Sequence, residues 1–137
     1  MNTISVLIVE DEGPTRNYLR MMVQDMYPEF NVQAVGTFDE AKEQILHGKY
    51  DIILLDINLR EKTGFDLVPI IDQKHSHVVF VTANDEFAIR AFEVNALDYI
   101  LKPIREERLK KAFEKVIRPT NDAVSKKLTL NDRIFVQ

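Results

Sequence analysis

Apolar residues in this chain fall into short runs divided by segments of helical spacing. Five stretches, residues 4–9, 31–35, 51–55, 78–82 and 97–101, are rich in β-branched and other apolar side chains. Most are continuous apolar runs rather than alternations, the pattern of parallel strands covered on both faces. The second is interrupted by Gln33. Between them, Leu19, Met22, Val23 and Met26 recur at i, i+3, i+4 and i+7 after Gly13-Pro14, with Pro14 suited to a first helical turn. Thr37-Phe38-Asp39-Glu40 reads as a capping box before Ala41, Ile45 and Leu46, and Gly48 closes that segment. Residues 65–71 form a shorter helix, and Asn84-Asp85 offers a cap before Ala88, Ala91 and Phe92. Leu109, Ala112, Phe113 and Val116 repeat the spacing of the first helix, and Pro119 stops it.

The order is (βα)5. Right-handed crossovers between parallel strands turn this into an α/β fold, an open doubly wound sheet with helices on both faces. Ligands of such sheets collect at the carboxyl ends of the strands. There the first strand runs into Glu10-Asp11-Glu12, the third into Asp56, the fourth into Thr82-Ala83 and the fifth into Lys102-Pro103. Carboxylates brought together in one crevice repel unless a cation lies between them. Oxygen donors without cysteine or histidine suit a hard ion, best a partly hydrated Mg²⁺ (or Mn²⁺). A lysine and a hydroxyl beside that ion suit a transferring phosphoryl group. Taken singly, each has a plainer reading: an acid after a strand is a helix cap, Glu12 above all, Thr82 an ordinary strand residue and Lys102 a surface lysine. Four strand ends carrying complementary groups at once outweigh those readings.

Composition narrows the classes. The 137 residues are 45% hydrophobic and 29% charged, enough for one globular domain with its own core. There is no cysteine, which removes disulfides and thiolate chemistry and is compatible with a cytoplasmic setting. No apolar run is long enough to span a bilayer, and the N-terminus lacks the pattern of a secretory signal. The net charge is −4, and residues 119–137 carry +1 through Lys126, Lys127 and Arg133 against Asp122 and Asp132. Residues 1–118 therefore carry −5, which favours a cation over a nucleic acid or membrane as ligand.

The chain resembles the receiver domains of two-component response regulators over roughly residues 3–118. "VLIVEDE" is similar to the family's first strand and acidic pair, "IILLDINL" to its phosphoacceptor strand, "VVFVTAND" to its Thr/Ser strand and "ALDYILKPI" to its Tyr-x-x-Lys-Pro segment. The resemblance implies a flavodoxin-like fold with strand order 2-1-3-4-5. It makes Asp56 the acceptor of a phosphoryl group from a sensor histidine kinase. Asp11 becomes a direct Mg²⁺ ligand, Glu10 a ligand directly or through water, and Asn58 a ligand through its backbone carbonyl. Thr82 and the Ala83 backbone contact the phosphoryl oxygens, Lys102 pairs with them, Tyr99 is an aromatic switch, and the Lys102-Pro103 bond is cis. Switching would reshape the surface of the fourth helix, fifth strand and fifth helix, where receivers form homodimers on activation. Glu10-Asp11 departs from the commoner Asp-Asp pair, and Asn58-Leu59-Arg60 lacks a proline often found there. Gly64 keeps the turn position ahead of the third helix, and Arg60 has no evident role.

Residues 119–125 have linker composition, and "KKLTLNDRIFVQ" becomes strand-like again at Leu128–Leu130 and Ile134–Val136. With "FAIRAFEVNALDYILKPIREERLKKAFEKV" resembling receivers of the LytTR class, residues 119–137 read as a linker and the start of a truncated β-rich DNA-binding output domain. DNA would then be reached only through that missing domain. Three other classes compete. A Mg²⁺-dependent phosphohydrolase of Toprim type would carry a second aspartate where Asn58 stands, and His47, His75 and His77 fall away from the crevice. A nucleotide- or flavin-binding domain would carry a glycine-rich loop after the first strand, which is absent. A receiver used only for protein interaction would ordinarily have lost pocket residues.

Overall fold

The computed structural model describes residues 3–117. The linker and strand-like stretch read at residues 119–137 lie outside them. Residues up to Ile104 form one compact unit. Its elements are β1 (Ser5–Val9), α1 (Gly13–Met26), β2 (Asn31–Val35), α2 (Phe38–His47), β3 (Ile52–Leu55), β4 (Asn58–Leu59) and β5 (Lys62–Thr63). A 3-10 helix (Gly64–Ile70), β6 (His77–Thr82), α3 (Ala88–Glu93) and β7 (Asp98–Leu101) follow. A second unit begins at Arg105 and holds α4 (Glu106–Ile117), in which Leu109, Ala112 and Phe113 are buried.

Five strands make one parallel sheet in the order β2-β1-β3-β6-β7. With the small β4–β5 ribbon set aside, this is the expected order 2-1-3-4-5, and the fold is flavodoxin-like. The middle strands have no wet face: β3 is buried along its whole length, and Val6–Val9 and Val78–Val81 are all at most 1% exposed. Burial of one such aliphatic side chain is worth about 1.5–3 kcal/mol, which is why apolar runs rather than alternations specify these strands. Alternate residues of β1, β3 and β6 (Leu7, Val9, Ile53, Leu55, Val78, Phe80) pack with Ala41 of α2, Phe65 and Leu67 of the 3-10 helix and Ala91 of α3. The opposite face receives α1, whose Leu19, Met22 and Val23 are buried as their spacing predicts. β2 lies at the sheet edge and is only partly covered, so Gln33 sits there exposed and without penalty.

Local chemistry explains where the elements end. The Thr37 hydroxyl accepts the Glu40 N–H at 3.1 Å, while the Glu40 carboxylate reaches back to Gly36 N–H at 3.0 Å, one residue before the usual capping-box partner. Gly48 is the C-cap of α2. The helix expected at 65–71 is a 3-10 helix over Gly64–Ile70 instead. Pro69 lacks an N–H and would clash with the carbonyl four residues back, so the α pattern cannot be completed. Asn84-Asp85 does not cap α3: its N-cap is Phe87 with no side-chain bond. Only Ala91 of its three expected apolar positions is buried, and Phe92 is 81% exposed. α3 ends in a Schellman turn with Asn95 at φ 64°, where Asn95 N–H donates to Phe92 O and Ala96 N–H to Ala91 O, both at 3.0 Å.

Candidate functional site: an acidic crevice at the carboxyl ends of the strands

The register of the sheet assembles the site. Val9 pairs with Leu55 and Leu55 with Phe80, so the residues that leave β1 and β3 emerge side by side. Asp56 N–H donates to Val9 O at 3.0 Å and Glu10 N–H to Val35 O at 3.1 Å, which fixes both backbones at the sheet edge. On the other side Thr82 pairs with Leu101, and Lys102 N–H donates to Thr82 O at 2.8 Å. The Lys102-Pro103 bond is cis.

Lys102 Nζ then donates to Glu10 Oε1 at 2.7 Å and to Asp56 Oδ2 at 3.1 Å. The Glu10 and Asp56 side chains are only 2% and 6% exposed, so these charge-assisted bonds are weakly screened. Glu10 Oε2 accepts the Glu12 N–H at 3.1 Å, and Asp56 Oδ1 accepts the Asn58 N–H at 3.2 Å. Asp11 is less covered, and Arg60 Nε lies 3.7 Å from its Oδ2. Burial pushes the Glu10 carboxyl up, against the hydrogen bonds from Lys102 and the Glu12 N–H. Burial alone would depress the Lys102 ammonium, but its bond to Glu10 and the charges of Asp56 and Glu10 outweigh that, and the net direction is upward. The crevice therefore favours protons and positive charge.

Glu10, Asp11 and Asp56 each bring an oxygen within 4.8 Å of the others. Three carboxylates share one partly buried lysine, with exposed Arg60 beside Asp11, so negative charge stays in surplus where Glu10 and Asp56 are buried. An all-oxygen donor set with that surplus fits a hard divalent cation such as Mg²⁺.

Thr82 is fully buried at the end of β6. Its Oγ1 accepts the Asn84 N–H at 3.3 Å. Half-buried Tyr99 packs against the core cluster, and its hydroxyl donates to the carbonyl of the same Asn84. Ala83 is exposed between them, and Asn58 is exposed at the start of β4. Asn84 thus touches both expected switch residues through its backbone, whose partners no side-chain pattern announces. Arg16 was also silent in the sequence: its Nη1 donates to Glu10 O at 2.9 Å, bracing the turn that carries the acidic pair. Gly64 was legible only as a turn residue, yet its constraint is contact: a Cβ there would lie 2.4 Å from Asp56 O. His47, His75 and His77 lie outside the crevice, and the latter two sit at or before the start of β6, the opposite edge.

Comparison with known proteins agrees with this architecture. Residues 6–114 match the response regulator receiver domain. The sensory transduction protein LytR of Staphylococcus epidermidis is 35% identical over 132 residues, which is 95% of this chain and 52% of that protein. LytT of Enterococcus faecalis is 39% identical over 121 residues, 87% of this chain and 50% of its own. The chain thus spans about half the length of these curated relatives. Among solved structures, the response regulatory domain of mrkE from Klebsiella pneumoniae superposes with a TM-score of 0.70 at 34% identity, covering 83% of this chain and 95% of the other. Relatives of this kind are signalling proteins rather than enzymes in the ordinary sense, and among the described residues no helix is long and apolar enough to cross a membrane. The chain belongs to the response regulator receiver domain family, and its curated relatives are regulators of the LytR and LytT type.

Proposed function

We propose that Asp56 accepts a phosphoryl group from a phosphohistidine of a sensor histidine kinase. The observation that carries this reading is the shared lysine: Lys102 bridges Glu10 and Asp56 in a crevice that retains surplus negative charge. Glu10, Asp11 and Asp56, with the Asn58 carbonyl, would hold Mg²⁺, which when bound supplies positive charge to the phosphoryl oxygens. An Asp56 carboxylate oxygen attacks phosphorus in line. The O–P bond forms as the P–N bond breaks, and the electron pair returns to the imidazole nitrogen. Lys102 turns its ammonium from the carboxylates to the transferred group, and Thr82 donates its hydroxyl to a phosphoryl oxygen. The Ala83 N–H adds a further donor.

Thr82 and Tyr99 meet at Asn84, so a pull on Thr82 shifts the backbone that holds the Tyr99 hydroxyl. Tyr99 is already turned inward, and phosphorylation would raise the population of that arrangement. Ile89, Phe92 and Leu101 are exposed apolar side chains on α3 and β7 that suit a homodimer contact on activation. In the whole protein, a linker from residue 119 and a LytTR-type DNA-binding output domain would convert dimerisation into transcriptional control in the cytoplasm. A Toprim-like hydrolase is disfavoured because exposed Asn58 stands where it would need an aspartate.

The test is incubation with Mg²⁺ and a small acyl phosphate, read by intact mass. A single phosphoryl adduct is expected on the wild type and none on Asp56→Ala. An unlabelled wild type, or a label that survives the substitution, refutes the assignment.

A further inference from the structure

Arg60 stands at the tip of the β4–β5 hairpin in a conformation that folding alone does not favour. Leu59 pairs with Lys62, so Arg60 and Glu61 form a two-residue loop, and Arg60 adopts φ 64°. Glycine or asparagine reaches this region without the steric cost that an arginine Cβ imposes. The side chain does not compensate by packing, since it is 80% exposed. What the position achieves is aim. Arg60 Nε lies 3.7 Å from Oδ2 of Asp11, whose side chain is 25% exposed and the least covered of the three clustered carboxylates. Beside it opens a cleft of about 500 Å³ lined by Asp11, Arg16, Gly36, Thr37, Glu40 and Arg60. The guanidinium therefore has room to leave Asp11 without disturbing the core.

We propose that Arg60 is a displaceable counter-charge of the crevice. It pairs with Asp11 and competes with a divalent cation for that carboxylate. Once displaced, it offers its guanidinium to the incoming phosphoryl donor as a second cationic contact beside Lys102. The donor half rests on the phosphoacceptor reading above. The two halves have opposite signs. Removing Arg60 takes a positive charge away from the cation site and so tightens Mg²⁺ binding. It also removes a charge that draws a dianionic donor, and so slows labelling at saturating Mg²⁺. An exposed pair of this length carries roughly a two- to fivefold effect.

The experiment compares wild type, Arg60→Lys and Arg60→Gln of the full chain in two assays. Calorimetric titration with Mg²⁺ alone gives the dissociation constant, and intact mass against time gives the rate of labelling by a small acyl phosphate at saturating Mg²⁺. Arg60→Gln is expected to lower the constant and the rate, each about two- to fivefold, while Arg60→Lys follows the wild type in both. A residue that merely shaped the hairpin would weaken binding and labelling together. That result, an unchanged constant in Arg60→Gln, or an Arg60→Lys indistinguishable from Arg60→Gln, overturns the proposal. A wild type that takes no label refutes the phosphoacceptor reading and the donor half with it, whereas the Mg²⁺ titration still decides the counter-charge.

Discussion

β3 has an aspartate at each end, Asp51 before it and Asp56 after it, and the two sit in opposite electrostatic situations. Asp51 Oδ2 accepts the Ser5 N–H at 2.8 Å, while its backbone N–H donates to Ser5 O and its carbonyl accepts the His77 N–H, both at 2.8 Å. It ties β1, β3 and β6 together at the edge where the strands begin. Around it, Ser76 donates to Tyr50 O and Tyr50 to Gln44, so the local polar groups satisfy one another. Asp56 faces two other carboxylates and shares one lysine with Glu10. A carboxylate answered by a neutral N–H, on a residue whose backbone is also paired, is a structural fastener. One that shares a cation with another carboxylate retains an appetite for positive charge, and that surplus separates the proposed acceptor end of the strand from the other end.

Mg²⁺ should expose this difference most strongly. At one hundred times its dissociation constant it should stabilise the wild type by about 2.7 kcal/mol, read from the denaturant midpoint. Asp51→Asn should start about 1 kcal/mol less stable yet keep that increment, and Asp11→Asn should lose most of it. An increment lost equally in both variants would erase the distinction between the two ends.

Two glycines sharpen the contrast. A Cβ on Gly64 would meet the Asp56 carbonyl at 2.4 Å, and one on Gly48 would meet Gln44 O at 2.9 Å and the Tyr50 ring at 3.0 Å. Gly64→Ala is expected to cost about 2 kcal/mol and to slow acyl phosphate labelling, because the strain lands on the backbone of Asp56, the proposed acceptor. Gly48→Ala should cost about 1 kcal/mol while labelling proceeds at the wild-type rate. Equal labelling by the two variants would mean that the proposed acceptor tolerates displacement of its backbone.

The smallest effect is on the alkaline side. Burial raises Tyr50 and Tyr99 above the ordinary 10.0, and Lys102 is raised above 10.5 because its carboxylate partners outweigh its burial. Groups that hold protons more tightly when folded contribute stability that is complete below those ordinary values and is lost as pH rises through the elevated ones. Stability should therefore fall above about pH 10. Tyr50→Phe should remove the share from the opposite edge, and Mg²⁺ should leave that share unchanged. A Tyr50→Phe variant with the full wild-type slope would assign the whole effect to the crevice.

Much of this was written in local pattern. Residues 52–55 and 78–81 are apolar without a break because no other composition survives burial on both faces, and Leu19, Met22 and Val23 carry their helix's buried stripe in their spacing. Where tertiary demands compete with local signals, the pattern failed. Asn84 looked like a helix cap, but its backbone is engaged by Thr82 and Tyr99, so α3 begins later. Pro69 is a local exception: without an N–H it holds residues 64–70 to a 3-10 helix, which the apolar pattern alone does not distinguish from an α-helix. The β4–β5 ribbon leaves no mark in the pattern, because two-residue strands have no periodicity to read.

By itself the sequence determined the alternation of elements, the apolar strands and the residue types waiting at their ends, because burial and capping act over a few neighbouring residues. Only the tertiary structure decided that Lys102 spans Glu10 and Asp56, that Arg16 braces the acidic turn, that Gly64 must be bare against Asp56 and that Arg60 reaches Asp11. Those contacts join residues that are distant in the chain or lie on separate elements. Their distances follow from strand register and hairpin geometry, which short-range pattern does not encode.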